Sequence, residues 1–173
     1  MSIDCGASNP YTDKNGIKWE TDESYTTNGE NHAVKTADSA PEPLKTLRVF
    51  SSRKKNCYSV AIKGGGQVRL RVSFSYGNYD GKSSPPSFEL LVDGNDWDTV
   101  QTSMDSENHY EGIYVVTGDS TSVCVAQTSP GQLPFVSAIQ VWELEQEMYG
   151  QFDPSTSLLL VDRYAFGPEN TVR

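Results

Sequence analysis

What this chain lacks narrows its biology before any motif is read. No stretch approaches the ~18 consecutive apolar residues of a helical membrane span, and the strongest candidate, Leu158 to Val161, is far too short. Histidine is confined to His32 and His109, and cysteine to Cys5, Cys57 and Cys124, with no C-x-x-C spacing. A closed zinc ligand set cannot be assembled from these, so no metal or other cofactor is expected. No G-x-S-x-G elbow, P-loop or H-E-x-x-H occurs, which removes the best-marked hydrolase, nucleotide-binding and metalloprotease classes. Basic residues are scarce: 14 Lys and Arg stand against 23 Asp and Glu, for a net charge of −9. Such a field repels nucleic acid and anionic membranes. The one basic cluster, Arg53-Lys54-Lys55, reads as a solvated hairpin tip or as part of the rim of a groove. No N-x-S/T sequon is present, since Asn170-Thr171 is not followed by a hydroxyl residue.

Acidic residues are plentiful, so catalysis has to be weighed. Asp93, Asp96 and Asp98 bracket Trp97 as a glycosidase pair with an aromatic platform would. Asp93-Gly94-Asn95-Asp96 is instead ordinary hairpin punctuation, and carboxylates spaced that way splay across a turn. The segment also fails as a calcium loop, because Trp97 takes the position of the third ligand. His109 has no neighbouring Ser or Cys nucleophile in a distinctive context. The chain reads as non-catalytic.

What is present is a β pattern. Val68, Leu70, Val72 and Phe74 alternate with Gln67, Arg69, Arg71 and Ser73, the two-residue period of a strand with one buried face. Strands are expected at about 46–50, 56–62, 67–75, 87–93, 97–101, 110–116, 121–127 and 135–144, with Gly-, Asp- and Pro-rich turns between them. A chain of 173 residues is long enough to bury a full sandwich core. The expected fold is an all-β, antiparallel jelly-roll sandwich with Val68, Leu70, Val72, Phe74, Phe88, Leu90, Val123, Val125, Ile139 and Val141 inside. A one-residue slip would turn Arg69 and Arg71 inward. Phe135 to Leu144 is apolar on both alternations, as a strand covered on both faces requires. Residues 7–44 read as long irregular structure wrapping one end of the sandwich. Leu158 to Val161 reads as a strand detached from it. Cys57 and Cys124 each interrupt an alternating strand. In an oxidising compartment they are expected to pair, the alternative being three buried free thiols; Cys5 is expected to be buried and unpaired.

Between the strand ending at Phe74 and Pro85-Pro86 lies Tyr76-Gly77-Asn78-Tyr79-Asp80-Gly81. Two tyrosines beside an amide and a carboxylate suit a polar ligand with apolar faces, such as a sugar. They equally suit an ordinary hairpin with locally packed rings.

The wording around that loop is ordered. Ser2-Ile3-Asp4-Cys5-Gly6, Tyr11-Thr12-Asp13, Gly16-Ile17-Lys18-Trp19, Leu47-Arg48-Val49-Phe50 and Lys55-Asn56-Cys57-Tyr58 come before it. Pro85-Pro86-Ser87-Phe88, Val123-Cys124-Val125 and Pro134-Phe135-Val136-Ser137-Ala138-Ile139 follow. This series, over residues 2 to about 145, resembles the malectin-like extracellular domain of plant receptor-like kinases, especially those continuing into leucine-rich repeats. The resemblance implies a galactose-binding-like jelly roll. It implies an extracellular recognition module whose signal peptide and membrane span lie outside this sequence. It implies a cell-wall-type oligosaccharide as ligand or, alternatively, a peptide or co-receptor protein. By this likeness a sugar would lie on Tyr76, Asn78, Tyr79 and Asp80, with Phe50, Trp97 and Gln132 as walls. The sequence departs from animal malectin there: Asn78 stands where an aromatic is expected and Gln132 near an expected carboxylate. Tyr164-Ala165-Phe166-Gly167-Pro168 resembles the passage into a second lobe. Residues 1–147 would then form one lobe, and 148–173 a connecting strand towards the next.

Overall fold

The computed structural model describes residues 1–35, 40–145 and 157–159. In chain order the strands are β1 (Ser2–Asp4), β2 (Tyr11–Thr12), β3 (Lys18–Thr21), β4 (Glu30–Ala33), β5 (Thr46–Val49), β6 (Lys55–Ala61) and β7 (Gly66–Phe74). They continue as β8 (Ser87–Val92), β9 (Asn95–Gln101), β10 (Asn108–Val116), β11 (Ser120–Ala126), β12 (Phe135–Val136), β13 (Ala138–Glu143) and β14 (Ser157–Leu159). Two single 3-10 turns, Asp22–Ser24 and Glu42–Leu44, are the helical elements among the described residues.

Three sheets result. The largest has the order β14-β10-β7-β13-β1-β3-β2, the second β6-β11-β8-β9, and the third β12-β5-β4. The strongest period-2 segment, β7, sits between β10 and β13, where both of its edges are paired. Its inward residues meet those of β6, β8 and β11 in one core that contains all ten residues named above, each at most 3% exposed. The register is the one that keeps arginine out of the sandwich. Arg69 lies over the Trp142 ring at 3.9 Å on the outer face, and Arg71 donates to Glu111 there. The all-β class and the antiparallel pairing hold, with one exception: β1 runs parallel to β3.

Residues 7–44 depart from expectation. Instead of a purely irregular wrap they contribute β2, β3 and β4 to two sheets. Elements of two to four residues are too short to display an alternation, so their pairing is decided by the sheets they join. Phe135 to Leu144 is divided: β12 joins the small sheet, fully buried Ser137 makes the change, and β13 runs centrally between β7 and β1. Its outward residues Ala138 and Gln140 are buried too, which accounts for apolar character on both alternations. The strand expected at Leu158 is not detached from the sandwich. Ser157–Leu159 pairs antiparallel with β10 and forms the edge of the largest sheet; the rest of the 148–173 segment lies outside the described residues.

Cys57 and Cys124 are directly opposed on β6 and β11 and are joined by a disulfide, while Cys5 is buried and free.

Two buried carboxylates connect these layers. Asp22, with no exposed surface, accepts from Nε and Nη2 of Arg48 at 2.6 and 2.7 Å and from the Tyr58 hydroxyl at 3.1 Å. Asp4 accepts from the hydroxyls of Tyr11 (2.6 Å) and Thr46 (2.7 Å). Desolvation outweighs those two hydrogen bonds and raises the Asp4 pKa to about 6.

Asp22→Ala is expected to destabilise the protein by roughly 3–5 kcal/mol in urea titrations, because it strands a buried guanidinium. For Asp4 the folded pKa lies above the ordinary carboxylate value of 3.8, so the folded state binds the proton more tightly. Its contribution is fully present below about pH 4 and is lost as pH rises through about 6. Asp4→Asn should therefore gain on the native chain between pH 4 and pH 7, by about 2 kcal/mol. A stability difference independent of pH would refute this.

Candidate binding surfaces

The loop after β7 is built around one hydroxyl. Tyr76 is 1% exposed, with its ring packed among Phe135 and Tyr79. Its hydroxyl donates to Oδ1 of Asp80 at 2.6 Å and accepts the Ser84 amide at 3.2 Å. The turn in between is tight. Asn78 takes a left-handed φ of 52°, a conformation asparagine tolerates because its side chain bonds nearby backbone. Here its Oδ1 accepts the Ser83 amide at 2.9 Å. At Gly77, where φ is +45°, a Cβ would stand 2.4 Å from Val34, so any other residue would strain the turn and displace that side chain. Desolvation alone would raise the Asp80 carboxyl, but hydrogen bonds from Tyr76 and the Lys82 amide, and the Lys82 charge, hold it below its ordinary value.

Tyr76 is therefore the frame of the loop and not one of its faces. Tyr79 is half-buried; its ring lies 5.3 Å from His32 and 5.9 Å from Phe135. The other expected walls disperse. Phe50 is core, edge-on to Tyr58 at 5.9 Å. Gln132 accepts the Ser87 amide at 2.8 Å and so ties a loop to the start of β8. Trp97 is the extra residue of a β-bulge, falling between Leu90↔Asp98 and Leu91↔Asp96. Its ring covers Gly112, where a Cβ would meet it at 2.8 Å. It borders a separate cavity of about 320 Å³ that contains no other member of the expected set. Asn78, Tyr79 and Asp80 thus share one loop with a single half-exposed ring. The sequence could not separate Tyr76 from Tyr79, because beyond Phe74 no alternation assigns a side to either. His32 was missed because β4, which carries it, shows no pattern.

A larger concavity, about 720 Å³, lies on the outer face of the seven-stranded sheet. Arg69, Arg71 and Ser73 of β7, His109 of β10 and Gln140 and Trp142 of β13 form its floor. The 11–19 hairpin and residues 40–45 form its wall. Trp19 is buried with Leu44 and Ala138, stacked on Tyr11 at 6.5 Å, and donates its indole N–H to Asp13 at 3.0 Å. Asp13 also accepts the amides of Asn15 and Ile17, which fixes that turn. The Glu111 carboxylate lies on the same outer face, near both Arg69 and Arg71. His109 shares a 2.9 Å hydrogen bond with Ser73. Burial, and then the Arg71 charge, lower its pKa and favour the neutral imidazole. The signal for this surface was in the sequence: the outward positions of β7 alternate with the core ones. Which loops would roof that face was not.

Tyr76→Phe is expected to cost about 1 kcal/mol, with faster amide exchange at Ser84. Unchanged exchange there would show that the hydroxyl does not organise the loop.

The Malectin-like domain model matches residues 3–173. "Uncharacterized protein At1g24485" of Arabidopsis thaliana is 33% identical, covering 100% of this chain and 35% of the relative. "Probable LRR receptor-like serine/threonine-protein kinase At1g51860" of the same plant is 34% identical, covering 96% of this chain and 19% of the relative. The chain thus spans only a minor part of these relatives. Among solved structures, the plant receptor-like kinase FER superposes with a TM-score of 0.77 at 21% identity, over 93% of this chain and 47% of that one. A chain of the complex of the plant peptide RALF23 with FER and LLG2 gives 0.71 at 20% identity, over 90% and 42%. At such identities the likeness speaks for the fold alone. With this sandwich, and a family model that runs from Ile3 to the last residue, the chain belongs to the malectin-like domain family.

Proposed function

We propose that this chain is a non-catalytic, extracellular recognition module of a plant receptor-like kinase, and that it docks a peptide or a partner protein. Residues 1–147 would be one lobe of the receptor, and 148–173 would lead towards the next. Signalling would belong to the rest of such a receptor, since the receptor kinase it resembles is far longer than this chain.

The observation that carries the docking reading is the fate of the aromatic side chains. A lectin-type site needs open ring faces for the C–H faces of a pyranose. Tyr76 and Phe50 are core residues, and Tyr79 is left as the lone half-exposed ring of the loop. One ring in one loop is a poor platform for an oligosaccharide, so the sugar expected from sequence becomes the weaker reading. The likeness to a chain of a peptide-bound receptor complex supports the alternative.

Two titrations decide between them. Calorimetry with defined glucan oligosaccharides should give no binding at millimolar ligand, and selection from a displayed peptide library should enrich sequences that bind in the micromolar range. Millimolar or tighter glucan binding, lost in Tyr79→Ala, together with an unenriched library, would overturn the docking reading in favour of the sugar.

A further inference from the structure

Resting on that docking reading, we propose that the groove on the outer face of the seven-stranded sheet is where the partner is held, and that it takes an extended peptide segment presenting a carboxylate beside an apolar side chain. The chemistry of the two sides of the groove carries this. On the floor, Arg71 donates through Nε to Glu111, while its side chain, 34% exposed, still lines the cavity. A guanidinium has five N–H donors in a planar fork, so the bond to Glu111 leaves donors that match a second carboxylate. The side chain is also held in place: Glu111 is 6% exposed, so the fork is aimed before a ligand arrives. Lys14, Lys45 and Arg69 line the cavity with Arg71, a local concentration of cations in a chain of net charge −9 that favours an anion where the net field repels one.

Basic groups offset the acidic ones around the cavity. Glu42 pairs with Lys45 at 2.7 Å, and Lys14 lines the cavity with Asp13, whose carboxylate is turned to the Trp19 indole and the amides of Asn15 and Ile17. Glu107 lies 3.6 Å from Nε2 of His109, whose neutral form is favoured, so the balance there rests on Arg69 and Arg71. Between its charged groups the wall presents an apolar strip: Ile17, Pro41, Pro43 and Leu44 line the cavity around the buried Trp19. A peptide is favoured over a glycan by the condition of the rings. Trp19 is 4% exposed and stacked on Tyr11, and Trp142 carries the Arg69 guanidinium at 3.9 Å. Neither offers a pyranose a clear face, whereas aliphatic side chains fit a wall of proline, leucine and isoleucine.

The test uses arrayed N-acetylated, C-amidated heptapeptides with Glu, Gln or Lys at the centre and Leu, Pro or Tyr beside it. Hits are followed by fluorescence anisotropy at low salt and at 0.5 M NaCl. Glu-centred peptides should bind at least about tenfold more tightly than their Gln twins, and the advantage should shrink at high salt. Arg71→Gln should abolish the preference; Arg71→Lys, which keeps the charge and loses the fork, should retain part of it. Pro43→Glu changes the apolar wall without touching the Arg71–Glu111 pair. It should weaken the same peptides, which keeps the proposal testable if Arg71→Gln fails to fold. Peptides that bind equally with Glu and Gln, or independently of Arg71 and Pro43, would overturn the groove while leaving peptide docking intact. An array with no binder would overturn both. Arg71-dependent binding of a carboxylated oligosaccharide, with no peptide bound, would overturn the occupant.

Discussion

The buried carboxylate of Asp22 is the constraint on which the arrangement of this molecule depends. Asp22 follows β3 of the seven-stranded sheet, Arg48 lies on β5 of the three-stranded sheet, and Tyr58 lies on β6 of the four-stranded sheet. One side chain, carried at the end of a strand of the first sheet, therefore bonds to the other two at a point with no access to water. Hydrophobic burial can hold two sheets together at many small offsets, because it is non-directional. A bidentate carboxylate–guanidinium pair tolerates one geometry and is costly when broken. The pair thus selects how the layers meet, while the apolar core supplies the bulk of the stability.

The same tie decides what the N-terminal third does. Once Asp22 is fixed against Arg48, the hairpin before it extends the sheet beyond β1; Tyr11 ties it to Asp4, and Thr46 ties Asp4 to β5. Trp19, Leu44 and Ala138 then make a small second core outside the sandwich. The large cavity is a consequence of this cover, with loop residues for a wall and sheet residues for a floor. The loop after β7 follows a different rule. Tyr76 is drawn inward by the aromatic cluster around Phe135, and its hydroxyl, unable to stay buried without partners, binds Asp80 and Ser84. That loop is cross-tied for structural reasons, and a polar, ring-bearing loop resembles a sugar site when only its residue types are visible.

Membership of the malectin-like family sets the context for both surfaces. Relatives in which this sequence makes up a fifth to a third of the whole place such domains within longer proteins, receptor kinases among them. The sandwich is common to chains that share barely a fifth of their residues.

Period-2 alternation by itself determined the class, the course of β7, the ten core residues and the outward direction of Arg69 and Arg71, because a strand with one buried face has a single acceptable register. The ordered motifs by themselves pointed to the family. Tertiary structure alone decided the rest. Strands of two to four residues carry no period, so the sheets had to recruit β1 to β4. The strand expected at Leu158 to Val161 was read as detached; the described part, Ser157–Leu159, is paired to the open edge of β10. Past Phe74 the chain leaves the sheet, and burial of Tyr76 and half-exposure of Tyr79 depend on packing against Phe135 from across the chain. Phe50 and Trp97 went to the core and to a bulge over Gly112 for the same reason. Sequence order specifies which side chains a strand presents, and only the assembled layers specify which of those remain open to a partner.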